Sequence, residues 1–502
     1  MARARSKLKD YKKAFDPMRN RTLFLILIAI VVMTLAAGVV KDPDFWWHLR
    51  TGQLIFDTGT IPKADMFSFS VNGKEWITHE WLSELLIFVV FKAGGFAALI
   101  FVFALIVCAT FQVSYLVAMR RGGDVFVSGA IVLLGTVATM PVWGIRPQII
   151  SMLLTSVFIA VLFDYVRRRS ANKLWPLPLL MLLWANLHAS FALGIALTGL
   201  TVVAIVIEEL WEGTFSRETI RQCLPILLVL VASIGLALLN PSGYRLLTYP
   251  FETLASPMMQ THIEEWFSPD FHQVRFIPLM VLIVVCIVVL AVSPGRRRVS
   301  DLVIFCAGLV AALRSGRHVP VFALIAIPII AEHATVILIS RKPGLFGKED
   351  TSVPVGNAIV LRICLIFVAL LLFGVHFKKV TAQQPMAETR IYPKAAIEFL
   401  AGEHSLDRIF NCYDWGGYFI WRLYPERLVF IDGRADVYGD TLFEEYFNTS
   451  NGQPNWRETL NKYQINAALI KPDSALASLL RVDPDWRKVY EDKQAVVFAR
   501  GR

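Results

Sequence analysis

The chain has 502 residues, 55% hydrophobic and only 18% charged, with a formal net charge of +10. That apolar share lies above soluble-domain composition and excludes an ordinary soluble enzyme. The positive excess does not mark nucleic acid as a partner, because the basic residues gather in short loops between apolar runs, the pattern that orients helices in a bilayer.

In chain order, the basic segment 1–21 is assigned to the cytoplasm and 22–40 is the first span. It is too long for a signal-peptide core and no small-residue cleavage site follows it, so it is retained. Residues 41–80 form an outer loop whose Gly52, Gly59, Pro62 and Gly73 mark turns. The run 81–91 is too short to span and halts at Gly94-Gly95, which predicts a helix lying on the outer surface. Spans follow at 96–119, 125–140, 149–166, 174–187, 191–207 and 224–239, then a long outer segment, 240–275. Four more, at 276–292, 302–313, 319–339 and 359–377, bring the total to about eleven. This arrangement puts Arg120-Arg121, Arg167-Arg168-Arg169, Arg217, Arg221, Arg296-Arg297-Arg298 and Arg341-Lys342 on one side.

The predicted fold class is mostly α. Residues 1–377 form a polytopic transmembrane helical bundle, and 378–502 a small α/β extracytoplasmic domain. In that tail the patterns predict helices at 395–400, 418–423 and 474–480, strands at 408–411, 428–432 and 467–470, and a closing hairpin through 489–490 and 495–498. No phosphate-binding glycine loop, HExxH or GxSxG occurs there. Five of the six cysteines (Cys108, Cys223, Cys286, Cys306 and Cys364) lie in or beside spans, and only Cys412 is in the tail. With no CxxC pair there is no disulfide framework, and packing accounts for these thiols.

The topology gathers polar residues on the outer side. Asp42, Asp44, His48, His79, Glu80, Arg146, Gln148, Asn186, His188, Asn240, His262, Glu264, Glu265, Arg314, Arg317 and His318 all fall at outer span ends or in outer loops. Such convergence predicts a polar cavity at the outer leaflet. Asp42-Pro43-Asp44-Phe45-Trp46-Trp47-His48 opens the first outer loop, with His79-Glu80 near Asp44 at the start of the surface helix. An Asp in this position also suits a helix cap, and an aromatic belt is expected of at least some of Trp46, Trp47, Trp76 and Trp81.

This loop resembles that of the GT-C superfamily of integral-membrane glycosyltransferases, which place an acid directly after the first span. Ile145-Arg146-Pro147-Gln148 is similar to the Arg-Pro turn of protein mannosyltransferase-like members; His79-Glu80-Trp81-Leu82 stands where those members have His-Pro-Pro-Leu. Asn411-Cys412-Tyr413-Asp414-Trp415-Gly416-Gly417 resembles the Trp-Trp-Asp-Tyr-Gly motif of oligosaccharyltransferase soluble domains, with Cys412-Tyr413 in place of the tryptophans.

The resemblance implies an inverting transfer of a sugar from a polyprenyl-phosphate donor to an extracytoplasmic glycan, lipid or protein acceptor, in a bacterial inner membrane. Asp44, with Asp42 as second choice, is the catalytic base. Displacing a sugar from a lipid phosphate also needs cations for the departing charge, and Arg146, Arg314, Arg317 and His318 are available. His48, His79, Glu80, His188, Asp414 and Trp415 are the remaining acceptor-side candidates. No cofactor beyond the lipid-linked sugar is expected. The family's metal-dependent members add acids in the second outer loop, whereas 142–148 has none, so no divalent metal is expected either. Two other classes fit a polytopic chain, a flippase or transporter of lipid-linked glycans and a non-catalytic envelope-assembly scaffold.

Overall fold

A computed structural model describes residues 20–341 and 355–501. The basic segment 1–19 and Lys342 of the last basic pair lie outside them. The bundle runs through α1 (Asn20–Ala36), α2 (Phe45–Thr58), α3 (Trp81–Arg120), α4 (Val125–Thr139), α5 (Gln148–Arg168), α6 (Pro176–Leu187) and α7 (Phe191–Trp211). It continues through α8 (Arg217–Ala237), α9 (Arg245–Ala255), α10 (Pro257–His262), α11 (Ile277–Val292), α12 (Val299–Arg314), α13 (Val319–Arg341) and α14 (Val355–Ile391).

Among the described residues eight helices (α3, α4, α5, α7, α8, α11, α13 and α14) are long and apolar enough to cross a membrane. The shorter apolar helices α1, α6 and α12 occupy the three other predicted spans. The chain is a multi-pass membrane protein. α13 is apolar all round and buried from residue 319 to 331, which makes it the centre of the bundle. α14 packs on α1 and leaves its apolar residues, such as Leu361 and Leu372, exposed where lipid would cover them.

Two departures from the sequence reading shape the site. The first helix stops at Ala36, so residues 37–41 lie outside any helix instead of completing a span to Val40. Their backbone groups find partners on α14 and just beyond it. His376 Nε2 lies 2.9 Å from the Ala37 carbonyl, the Gln384 amide brackets Val40 (N–H to Oε1, 2.8 Å; Nε2 to carbonyl, 3.3 Å), and the Tyr392 hydroxyl donates to the Lys41 carbonyl at 3.1 Å. The end of the bundle thus holds the strip that presents Asp42 and Asp44.

Gly52 is no turn; it lies inside α2, which runs on to a left-handed cap at Gly59 (φ 66°). A Cβ at Gly52 would stand 2.0 Å from the Glu84 carbonyl oxygen, so only glycine lets α2 lie this close to α3. α3 itself breaks at Gly94-Gly95 (φ of Gly95 60°), the point predicted to separate the surface helix from its span.

At the end of the bundle remote from this strip, Arg121 pairs with Asp301 and, at 2.9 Å, with Glu332, which also takes Arg167 at 2.6 Å.

The tail comprises α15 (Lys394–Gly402), β1 (Ile409–Asn411), α16 (Gly416–Leu423), α17 (Ala435–Ser450), α18 (Trp456–Lys462), β2 (Ala467–Ile470), α19 (Ala475–Val482), β3 (Trp486–Glu491) and β4 (Val496–Arg500). Its sheet has the order β1-β2-β4-β3, with β1 parallel to β2 and the other pairs antiparallel.

The predicted strand 428–432 does not join this sheet. Val429 exchanges backbone hydrogen bonds with 67–69 of the first loop, and the Asn411 side chain satisfies Phe430 N–H (2.9 Å) and the Ile431 carbonyl (2.7 Å). That run therefore stitches the tail onto the bundle. α17 was not predicted, although Tyr438, Leu442 and Tyr446 recur at helical spacing; its kink at Gly439 (φ 76°) interrupts the pattern.

Candidate active site

The predicted acids and the second-loop arginine do converge. Arg146 lies on the short turn before α5, with Nε 3.0 Å from Asp42 Oδ2 and Nη1 3.3 Å from Asp44 Oδ2. Its Nη2 contacts Glu265, in the 3-10 turn Glu264–Trp266 after α10. Ser315 Oγ and Gly316 N–H pin that turn by donating to the Glu265 and Phe267 carbonyls, both at 2.9 Å. Three carboxylates from two distant loops thus share one guanidinium.

Asp44 stands at the N-cap of α2, yet its side chain makes no cap hydrogen bond. It instead accepts from Trp47 Nε1 at 3.2 Å. Burial and the adjacent Asp42 carboxylate push its carboxyl up to about 7, against the lowering pull of Arg146 and Trp47. A carboxylate poised near neutrality has the basicity a proton acceptor needs.

A second cluster lies beside the first. His48 Nδ1 is 3.2 Å from Glu84 and 3.5 Å from Glu80, while Glu80 Oε1 is 3.0 Å from His188 Nε2 and 3.6 Å from His79 Nε2. Trp81 Nε1 donates to Asn186 (3.0 Å) and Ser83 to the Leu187 carbonyl (2.6 Å), which docks the start of α3 on the end of α6 and brings His188 to Glu80. Burial alone would raise Glu80, but the charge of His79 and the hydrogen bond from His188 hold it well below the usual carboxylate range. Burial pushes His48 down to about 3, so its imidazole is neutral. Glu84 was not singled out from the sequence; an acid in the first turn of an apolar helix was the available signal.

Two adjoining cavities meet here. One, of about 760 Å³, is polar and includes Asp42, Asp44, Arg146, His188 and Glu265 in its wall. The other, of about 680 Å³, is lined mainly by apolar side chains such as Met152, Phe191, Ile195, Leu247 and Leu324. Glu80, His188, Tyr249 and Arg317 belong to both walls. Among the described residues Arg317 has no carboxylate partner and stacks its guanidinium on Trp266 at 4.4 Å. His318 faces the apolar cavity, whereas Arg314 is exposed and lines neither.

Trp46, Trp47 and Trp76 are buried in the protein and form no aromatic belt, whereas Trp81 is half-buried. Trp46 is buried edge-on against Tyr392 and Tyr418, and Trp76 lies 4.7 Å from the Arg434 guanidinium. In the tail, Asp414 sits exposed at the rim of the polar cavity, 3.4 Å from Lys471, and Trp415 is buried away from that cavity's wall.

The tail roofs the acids through glycine. A Cβ at Gly433 would lie 1.8 Å from Asp44 Oδ1. Gly433→Ala is therefore expected to push the tail off the first loop, costing about 1–3 kcal/mol and displacing Asp44. A thermal unfolding midpoint and transfer rate equal to wild type would show that the contact is not tight.

No protein-family profile and no curated protein sequence matches the chain. Its fold does have solved counterparts. The oligosaccharyltransferase of Archaeoglobus fulgidus in its apo form superposes with a TM-score of 0.54 at 11% identity, over 89% of this chain and 69% of that one. AglB of the same organism, in complex with an inhibitory peptide and a dolichol-phosphate, gives 0.56 at 10% identity, over 95% and 74%.

The chain has a GT-C fold.

ArnT of Cupriavidus metallidurans, bound to undecaprenyl phosphate, aligns over 95% of this chain and 97% of its own at 14% identity, with a TM-score of 0.47. Within the GT-C fold, the Asp42–Asp44 strip follows the first helix, as the resemblance implied. The turn between α4 and α5 places Arg146 among three carboxylates.

Proposed function

We propose that this protein is a membrane glycosyltransferase that takes a sugar from a polyprenyl-phosphate donor and passes it, with inversion, to a glycan, lipid or protein acceptor outside the cytoplasm of a bacterial cell. The junction of the two cavities at Arg317 carries this reading. A polyprenyl-phosphate sugar is apolar at one end, anionic in the middle and polar at the other, which is the order of apolar cavity, Arg317 and acid-lined cavity.

In the reaction, Asp44 accepts the proton of the acceptor hydroxyl as its oxygen attacks the anomeric carbon. The bond from that carbon to the phosphate oxygen breaks, and the charge departs on polyprenyl phosphate, where Arg317 receives it. Arg146 has its guanidinium committed to Asp42, Asp44 and Glu265, so its part is to position the base and not to hold phosphate. The tail, with Gly433 against Asp44 and Asp414 at the rim, covers the acceptor side. Transporters gather ionisable groups near the midplane in broken helices. Here they sit at helix ends and in connecting turns, which favours transfer over transport.

Arg317→Gln is expected to weaken binding of polyprenyl phosphate about 10- to 100-fold, the worth of one charge-assisted contact, while Asp44→Asn leaves it unchanged. Displacement of a fluorescent polyprenyl phosphate from detergent-solubilised protein measures this. Undiminished affinity in Arg317→Gln contradicts the assignment.

A further inference from the structure

Glu84 presents an unusual demand. It is 1% exposed, sits one turn beyond Glu80 on the same face of α3, and its Oε2 has no hydrogen-bond partner. A buried carboxyl left this way either keeps its proton or gives it up to a cation that binds there. The partner it does have is His48 Nδ1, 3.2 Å from its Oε1. The ligand-capable atoms of His48, Glu80 and Glu84 lie within 4.8 Å of one another, and all three residues are buried.

We infer that His48, Glu80 and Glu84 form a binding site for one divalent d-block cation of the zinc type.

The two distances from His48 fit that ion. Around a tetrahedral centre with ligand bonds of about 2.1 Å, ligand atoms stand about 3.4 Å apart. His48 Nδ1 lies 3.2 Å from the Glu84 carboxylate and 3.5 Å from that of Glu80. An imidazole with two carboxylates favours zinc, cobalt or manganese over magnesium or calcium, which prefer all-oxygen shells.

Outer contacts of the kind that orient metal ligands are also in place. His188 Nε2 holds the other Glu80 oxygen at 3.0 Å and is itself anchored through Nδ1 to Ser190 Oγ at 2.6 Å, while the Trp47 ring lies tilted against His48, centroids 3.6 Å apart. Gly52 supplies the close approach of α2 to α3 that brings His48 to Glu84. His48 and Glu80 line the polar cavity and Glu84 lies behind them, so a fourth coordination position faces the cavity. The cation tethers α2, whose first turn follows Asp44, to α3. This site is separate from the Arg146 carboxylates and does not depend on the transfer reading.

The test counts metal on the full chain in detergent, with no donor or acceptor present. After chelator treatment, zinc is added, excess is removed, and bound metal is measured by mass spectrometry; cobalt(II) absorption reports the ligand geometry. One zinc per chain is expected, with a tetrahedral cobalt spectrum and an unfolding midpoint that rises with zinc. Glu84→Gln and His48→Gln are each expected to weaken zinc binding about 100-fold or more, and either variant that folds suffices. Asp44→Asn and Glu265→Gln keep one zinc per chain. Substoichiometric zinc in the wild type overturns the proposal. So does loss of zinc in Asp44→Asn or Glu265→Gln with retention in Glu84→Gln, which would put the ion at the Arg146 carboxylates.

Discussion

Asp44→Asn is expected to lower sugar transfer about 100- to 10,000-fold, the range that a general base contributes, while leaving the fold intact. The amide keeps the shape of the side chain and its place beside Arg146 and Trp47 but cannot accept the proton. The same residue sets the pH profile. Its carboxyl is raised to about 7, so the active carboxylate form is lost as pH falls through that value, and the wild-type rate should rise with pH across neutrality. Arg146 lowers Asp44, so Arg146→Met should move the rise to higher pH. Initial rates of wild type, Asp44→Asn and Arg146→Met over a pH series check all three statements. A flat profile across neutrality, or an active Asp44→Asn, removes Asp44 from the chemistry.

Arg434→Leu should be the most destabilising single change in the tail, at about 3–5 kcal/mol. Arg434 is 1% exposed and forks onto Asp432 (2.8 and 2.6 Å), while its remaining Nη1 reaches Asp65 of the first loop at 2.8 Å. Phe67 and Trp76 stack on its guanidinium at 4.9 and 4.7 Å. Deleting it strands two carboxylates in the seam that joins tail to bundle, since Asp65 is 2% and Asp432 0% exposed. Lysine offers a single point charge for this fork and should rescue little. Thermal unfolding in detergent and proteolytic release of the tail measure the loss. A variant with wild-type stability and an uncut tail would mean that other contacts hold the seam.

These two residues mark where sequence reading succeeds and where it stops. Asp44 was legible because an acid among aromatics at a helix exit is costly and local. The span positions, the Gly94-Gly95 break and most tail elements were legible for the same reason, since each depends on a short run of sequence. Arg146 was found, but its three carboxylate neighbours were not. Its commitment to Asp42, Asp44 and Glu265 depends on a fold that brings residue 265 beside residue 42.

Arg314 and Arg317 are three residues apart on one turn, yet the 3-10 turn Gly316–His318 after α12 separates the exposed arginine from the inward one. Composition does not foretell that. Trp46, Trp47 and Trp76 misled for a related reason. Membrane-belt chemistry and core packing use the same side chain, and only the tail's docking over Trp46 and Trp47 distinguishes them.

The most direct test supplies purified protein with a polyprenyl-phosphate sugar labelled in both sugar and phosphate, together with an envelope acceptor fraction. The account predicts that the sugar label moves to the acceptor as an equal amount of labelled polyprenyl phosphate appears, and that Asp44→Asn stops both. Donor that crosses reconstituted membranes with both labels still joined, and no label on any acceptor, would contradict it.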